Sequence, residues 1–291
     1  MSDPLSPRRI AVVPAYNEEQ TVVGVLDRLI DEVDELVVVD DGSTDGTRAA
    51  VQRWLPGRSN VRMLTFDENQ GMSAAYHLAF SDLRHRMIEG ELADHDLVFT
   101  IDADGQHELS VLSDLEKLTV VEGLDALVVR RDLSTYPAYK QAGNGLLSAW
   151  ATLWAGASLP DVESGYRIFR LGALADALGF YRGYKYSETV EVAVVLCRLG
   201  YKVRNDVVVP VPVYRSRTRM VDVFVDLAMI PVAAIRAVGG RRPDQRAAGG
   251  SLTMPLALCG AVGVAGALGT AVGVAGAAAG LRSLRRHHRS G

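Results

Sequence analysis

The sequence predicts an α/β fold: a mostly parallel sheet with crossover helices over the first two thirds of the chain, followed by two helical segments of membrane character. Three observations carry this expectation. From Arg9 to about Pro212, short β-branched runs alternate with longer amphipathic stretches, the pattern of strands buried beneath helices. Acidic and glycine-rich turns follow the apolar runs, where an open α/β sheet presents its ligand-binding edge. Finally, Leu252–Leu281 contains no charged residue.

Taken in order, strands are expected at Ile10–Val13, Glu35–Val39, Val61–Leu64, Leu97–Ile101 and Ala126–Val129. Between them the spacing of apolar residues predicts helices over Glu18–Ile30, Asp45–Trp54, Gly71–Met87 and Leu109–Val121. Cys197 falls in a further helical stretch. The last apolar run, Val207–Val213, carries Pro210 and Pro212 and is expected at a sheet edge, where a missing N–H is tolerated.

At 291 residues with 48% hydrophobic content, the chain can bury a sizeable core. A formal charge of -4 gives no reason to expect a nucleic-acid partner. Two cysteines, Cys197 and Cys259, are too few for a disulfide framework or a thiolate metal centre, which fits a reducing compartment. Met1–Arg9, with Pro4, Pro7 and Asp3, does not read as a signal peptide, so the catalytic part is expected in the cytosol.

Three regions follow: a catalytic domain over 1–219, an interfacial helix with its linker over 220–250, and a transmembrane helix with a basic tail over 251–291. Val221–Val238 is apolar but interrupted by Asp222, Asp226 and Arg236, with Pro231 expected to kink it, which suits a helix lying in a membrane interface. Leu252–Leu281 would span about 45 Å as a helix, enough to cross a hydrocarbon core of roughly 30 Å. Its Gly269/Gly273 and Gly276/Gly280 pairs have the spacing of helices that pack closely in lipid, or reflect plain Ala/Gly bias. The first reading makes the chain a homo-oligomer through this tail. Four arginines on each side of the segment leave its orientation unassigned.

The chemistry sits at strand ends. Pro14-Ala15-Tyr16-Asn17-Glu18 follows the first strand: Pro14 is expected to stop the ladder, Tyr16 offers a flat ring, and Glu18 can cap a helix or hold a ribose or base. After the second strand comes Val39-Asp40-Asp41-Gly42-Ser43-Thr44-Asp45-Gly46-Thr47, which imitates the start of a calcium loop but lacks its closing glutamate, Gln52 standing there. No Gly-x-Gly-x-x-Gly follows the first strand, which argues against a dehydrogenase. Asp102-Ala103-Asp104-Gly105-Gln106-His107 follows the fourth. Two alternating carboxylates at one strand end suit Mg²⁺ or Mn²⁺ bridging to a diphosphate, with Gln106 as a third oxygen donor. A lone histidine beside a carboxylate pair is more often a structural donor than a base, so His107 is read as the former.

The ordered set Pro-Ala-Tyr-Asn-Glu, Val-Asp-Asp-Gly-Ser-x-Asp-Gly-Thr, Asn69-x-Gly71 and Asp-Ala-Asp-x-Gln-His resembles the family-2 glycosyltransferases of the GT-A fold, a Rossmann-like nucleotide-sugar domain. Within them it is most similar to the polyprenyl-phosphate hexosyltransferases of the dolichol-phosphate mannose synthase type, over residues 9–217. The resemblance implies Pro14, Tyr16, Glu18, Val39 and Asp41 around the nucleoside. It also implies Asp102, Ala103 and Asp104 around the diphosphate, with Asp102, Asp104 and Gln106 on the metal. It makes Arg131 a phosphate clamp and Asp161-Val162-Glu163-Ser164-Gly165-Tyr166-Arg167 the block where acceptor and donor phosphates meet, with Arg167 as a planar fork. Glu191 matches a glutamate of relatives, against the plain reading of a solvated helix face. Relatives continue past their last strand with an arginine and a Gly-x-Ser-Lys. This chain has Tyr214-Arg215-Ser216-Arg217-Thr218-Arg219-Met220, in which Arg217 takes the family arginine's place and Arg219 stands nearest the lysine.

The resemblance implies inverting transfer of a hexose, mannose or glucose, from a nucleoside diphosphate sugar (GDP-mannose or UDP-glucose) to a polyprenyl phosphate. Asp104, Arg131, Arg167 and Arg217 would stabilise the leaving diphosphate, on the cytoplasmic face of a membrane. Two rivals remain open here: a same-fold transferase with a soluble or cell-wall acceptor, and a non-catalytic membrane protein on this scaffold.

Overall fold

An apolar run buried on both sides needs cover on both sides, and the first strand shows how the chain supplies it. In Arg9–Ala15 (β1), Ala11 and Val13 face one core while Ile10 and Val12 face the other. The computed structural model describes residues 6–181, 183, 187–211 and 220–238, all within one compact unit, Met1–Arg246.

In chain order β1 is followed by helix α1 (Val22–Leu29), β2 (Glu35–Asp41), α2 (Thr47–Trp54), β3 (Val61–Phe66), α3 (Met72–Ile88) and β4 (Leu97–Thr100). A single 3-10 turn, Leu109–Val111, leads into α4 (Leu112–Val121). Then come β5 (Ala126–Val128), β6 (Arg130–Arg131), α5 (Ala138–Ala155), β7 (Arg167–Arg170), α6 (Leu171–Ala177), α7 (Glu188–Leu199), β8 (Val203–Arg204), β9 (Val208–Val209) and α8 (Met220–Val238). The main sheet has the order β3-β2-β1-β4-β7-β5-β8, with β7 antiparallel to both neighbours and the remaining pairs parallel. Helices α1, α2 and α4 cover one face; α3, α6, α7 and α8 cover the other. This is the mixed, mostly parallel α/β architecture expected of a GT-A fold.

The chain moves outward from β1 through β2 to β3, then returns to place β4 on the opposite side of β1. Such a reversal opens a crevice at the carboxyl ends of the strands. The loops after β1 and β4 flank it, which brings Tyr16 and Asp102 to one edge of the sheet.

Three expectations change. Pro14 does not end its strand: β1 continues to Ala15, pairing with β2 as far as Asp40. The Val12 carbonyl bonds toward the β4 side, accepting from Ile101 N, so Pro14, two residues on, directs its missing N–H to the same side, beyond the end of β4 at Thr100. The Asp161–Arg167 block, for which no strand was expected, ends where a strand, β7, begins at Arg167, inserted between β4 and β5. Val207–Val213 yields only the two residues of β9 among those described, paired with β6 in a small separate sheet.

Helix α8 forms where an interfacial helix is expected and runs through Pro231. One side of it is packed, with Ile230, Ala233, Ala234, Ala237 and Asp226 buried, while Val232, Ile235 and Val238 remain exposed. It rests on α7 and α5, and the Trp150 indole N–H of α5 donates to the Leu227 carbonyl at 3.0 Å. Among the described residues, no helix is long and apolar enough to cross a membrane. The transmembrane reading of Leu252–Leu281 and its glycine pairs lie outside the described residues.

At the crevice the loop after β2 turns at Gly42, whose φ of +66° lies in the left-handed region, and a Cβ there would overlap the backbone of Glu68 and Asn69. A non-glycine residue in that region costs roughly 1–2 kcal/mol before any clash. Gly42→Ala is therefore expected to lower the thermal unfolding midpoint by at least about 4 °C, read by circular dichroism.

Candidate active site

One wall of the crevice comes from the loops after β1 and β2. Asn17 is the only described non-glycine residue at positive φ (55°), a conformation asparagine tolerates best. Its side-chain oxygen accepts from the Thr44 amide at 2.8 Å while its own amide donates to Ser43 Oγ at 3.1 Å, so the two loops are tied together. Tyr16, at 36% exposure, projects beside this tie. Glu18 starts the first turn of α1: its amide donates to Thr47 Oγ1 at 2.8 Å, and Thr21 Oγ1 donates to its carboxylate at 2.9 Å. Pro14, Val39 and Ala103 are buried in the end of the sheet, so what they offer a nucleotide is backbone.

Asp41 lies deeper than the sequence suggests. It is 3% exposed, and its carboxylate accepts from the Gln70 and Gly71 amides at 2.8 and 2.9 Å and from the Asn69 side chain at 2.8 Å. Burial pushes this carboxyl above its ordinary range, against the pull of those amides. Asp41 thus fastens the Asn69-x-Gly71 turn to the sheet, which explains why those two motifs occur together. Asp40 is fully buried and accepts from Arg48 Nε at 2.6 Å.

The opposite wall is the loop after β4. The Asp102 amide donates to His107 Nδ1 at 3.3 Å, which leaves Nε2 as the protonated ring nitrogen, 3.4 Å from Asp102 Oδ2. The His107 ring stacks on Tyr166 at 4.9 Å between centroids. From behind, the buried Tyr76 hydroxyl of α3 donates to Asp102 Oδ1 at 3.3 Å. Burial works to raise the Asp102 carboxyl, yet His107, the Arg167 charge and the Tyr76 hydroxyl hold it below the ordinary carboxylate value. Asp104 accepts from the Gln106 amide at 3.0 Å, and the Gln106 carboxamide nitrogen donates to its other oxygen. Gln106, expected as a third oxygen ligand, donates to Asp104 through its nitrogen, and its carboxamide oxygen is the atom it would offer a cation.

Among the described residues, no group of three or more His, Cys, Asp or Glu side chains is arranged around a metal position. The loop offers two carboxylates, Asp102 and Asp104. That number fits Mg²⁺ or Mn²⁺, which takes one or two carboxylates from a protein and fills its shell with phosphate oxygens and water.

The Asp161–Arg167 block is the support of this loop rather than a row of phosphate donors. Gly165 presses against Asp102, and a Cβ there would lie 2.6 Å from Oδ2. Its carbonyl accepts from Thr100 Oγ1 at 2.6 Å. The fork of Arg167, expected to reach phosphate, is fully buried and engages Glu188 of α7 at 3.1 and 3.2 Å, while Nε donates to Thr100 Oγ1 at 3.1 Å. A guanidinium already spent on a carboxylate in the core is not a clamp at the surface.

Arg131 stands differently. Its side chain is 26% exposed. Its Nε and Nη2 donate to Asp161 at 2.9 and 2.7 Å, and Nη2 also donates to Asn144 of α5 at 3.1 Å. Glu191, weighed against a solvated helix face, is fully buried and accepts from Ser187 Oγ at 2.6 Å. Arg217 and Arg219 lie outside the described residues. Sequence reasoning missed Tyr76, Thr100, Asn144 and Glu188. Tyr76 reads as an ordinary apolar position of α3, and Glu188 carries no motif that would have paired it with Arg167.

The model of "Glycosyl transferase family 2" matches residues 10–170. The chain is 28% identical over 204 residues to the undecaprenyl-phosphate mannosyltransferase of Micrococcus luteus, covering 67% of this chain and 80% of that protein. It is 27% identical over 205 residues to the UDP-N-acetylglucosamine–dolichyl-phosphate N-acetylglucosaminyltransferase of Methanococcus voltae, covering 64% and 78%. Among solved structures, a mannosyltransferase from Pyrobaculum calidifontis in complex with GDP-Man and Mn²⁺ superposes with a TM-score of 0.52 at 23% identity, covering 91% of this chain and 81% of that one.

The close approach of Gly165 gives a direct test. Gly165→Ala must swing the Asp102 carboxylate away from Tyr76 and His107, and a misplacement of about 1 Å in a reacting site can cost roughly 100-fold in rate. Turnover of nucleotide sugar is expected to fall by at least about tenfold while the circular dichroism spectrum is unchanged.

Proposed function

The chain belongs to glycosyl transferase family 2, and from that premise we propose that it transfers a hexose from a nucleoside diphosphate sugar to a polyprenyl phosphate, with inversion at the anomeric carbon. The observation that carries the reading is the pair Asp102 and Asp104 in the loop after β4, at the same sheet edge as the tied loops after β1 and β2 that carry Tyr16, Glu18 and Asp41. A nucleoside diphosphate needs both walls: a pocket for base and ribose, and hard oxygen ligands for the cation that travels with a diphosphate. The donors considered are GDP-mannose and UDP-glucose.

Mg²⁺ or Mn²⁺ held by Asp102 and Asp104 would offset charge on the diphosphate. Gln106 orients Asp104, and Tyr76 and His107 orient Asp102. In the step itself an acceptor phosphate oxygen forms the new bond to the anomeric carbon as the bond to the diphosphate breaks, and the nucleoside diphosphate leaves with the electron pair. The second pKa of a phosphate monoester is near 6, so the acceptor is largely dianionic at neutral pH and needs little help from a base. This is consistent with a partly exposed arginine, Arg131, offered to phosphate and a histidine turned to a structural use. Arg131, partly exposed and held from behind, is the residue assigned to phosphate; Arg217 shares that assignment from sequence alone, and Arg167 moves to a supporting place.

A lipid acceptor is supported by two features. The relatives named above act on undecaprenyl and dolichyl phosphates. On α5, Tyr139, Leu146 and Leu153 are exposed at seven-residue spacing, and on α8 so are Val232, Ile235 and Val238. Apolar rows of this kind suit the cytoplasmic face of a membrane.

With radiolabelled donor and polyprenyl phosphate in detergent, label is expected to enter the organic phase, to stop with EDTA and to resume with Mn²⁺ or Mg²⁺. Asp104→Ala is expected to lose at least about 100-fold, because a bound metal is worth several kcal/mol and each ~1.4 kcal/mol is tenfold in rate. Label confined to water-soluble products would favour a soluble or cell-wall acceptor instead.

A further inference from the structure

Position 76 sits on the core face of α3, where a phenylalanine would satisfy every packing contact. Its ring stacks on Phe80 at 5.4 Å, it is fully buried against the apolar cluster under β1, β2 and β4, and the Arg167 guanidinium carbon lies 5.0 Å above its face. The ring packing needs no hydroxyl, and a buried hydroxyl without a partner costs roughly 1–3 kcal/mol. The hydroxyl has two partners, the Arg167 guanidinium and Asp102, whose Oδ1 accepts from it at 3.3 Å. A phenol is protonated at neutral pH and so acts here as the donor. At 3.3 Å the contact is longer than the roughly 2.5–2.7 Å common for charge-assisted O–H···O⁻ bonds.

We propose that Tyr76 is a positioning residue of the transfer reaction: its hydroxyl sets the orientation in which Asp102 meets the divalent cation of the donor diphosphate. The proposal rests on the metal reading given above. Tyr76 and His107 each address one oxygen of the carboxylate, and Gly165, having no Cβ, leaves the space that Oδ2 occupies. Arg167 and Glu188 hold the arrangement in place, Arg167 above the Tyr76 ring and Glu188 through its amide, which donates to Ser73 Oγ three residues earlier on the same helix at 3.1 Å. Outer partners of this kind change metal affinity by roughly 10–100-fold when removed.

The test uses the full chain and Mn²⁺ as the probe, followed by electron paramagnetic resonance in the presence of UDP or GDP, with affinity expressed per folded molecule. Tyr76→Phe is expected to weaken Mn²⁺ binding about tenfold, to raise the Mn²⁺ concentration for half-maximal transfer by the same factor, and to regain most of its rate at excess Mn²⁺. A merely structural tyrosine would alter stability and the folded fraction without moving these metal-dependent quantities. Asp102→Asn is the control. If it abolishes Mn²⁺ binding while Tyr76→Phe binds as the wild type does, the role of Tyr76 is overturned. If Asp102→Asn itself binds Mn²⁺ unchanged, the metal reading fails and the proposal with it.

Discussion

A guanidinium with no exposure to solvent must have its charge answered where it stands, and Arg167 finds that answer in Glu188. Taking an ion out of water costs several kcal/mol even after relaxation, so a buried pair is tolerated only with good geometry and its remaining donors satisfied. Arg167 meets both conditions: two points of contact with Glu188, one with Thr100, and the faces of Tyr76 and Phe169 beneath its charge. These partners belong to β4, β7, α3 and α7. Satisfying one side chain therefore fixes the end of β4 against two helices and the inserted antiparallel strand, and Asp102 begins two residues beyond Thr100.

The same arrangement determines where charge is left over. Burial raises the Glu188 carboxyl, opposed mainly by Arg167, and the two together contribute little net charge to the interior. Asp102 is held less tightly, by the Tyr76 phenol, the His107 ring 3.4 Å from Oδ2 and the more distant Arg167 charge, with no bidentate partner of its own. The negative charge is accordingly directed to the crevice, where Asp104 adds a second. Gly165 makes this possible by leaving room for Oδ2.

How much of this was legible in the sequence depends on what kind of signal each element leaves. Buried parallel strands leave continuous apolar runs, so β1, β2 and β4 and the acidic turns after β2 and β4 were readable, and with them most of the crevice. Strand β7 leaves no such mark: it has only four residues, its two apolar ones flanked by Arg167 and Arg170. Helix α5 was missed because Gly143 and Gly145 and a start at Pro137 obscure its periodicity. Pro14 misled because the rule that proline ends a ladder assumes a partner on that side, and β4 has already finished. Tyr76 and Glu188 were hidden for a common reason, which also left the place of Glu191 undecided. A polar group on a helix looks solvated or merely packed until the element covering it is known, and that element came from a distant part of the chain.

Burial also separates the two arginines that the motifs presented as equals. Arg167 can act on the reaction only through other residues, since all that it offers is engaged inside the core. Arg131 is held on one side by Asp161 and Asn144, while Nη1 makes no hydrogen bond among the described residues. Fixing a long side chain in advance removes much of the rotamer entropy that would otherwise be lost when it meets a phosphate. Asp161 is itself anchored, its amide donating to Asn205 Oδ1 at 2.7 Å, and Asn205 Nδ2 donates to the Val128 carbonyl at the end of β5. The rigidity of Arg131 thus derives from the sheet through two side chains. A reaction whose acceptor arrives already ionised gains more from a donor held still in this way than from a group that moves a proton.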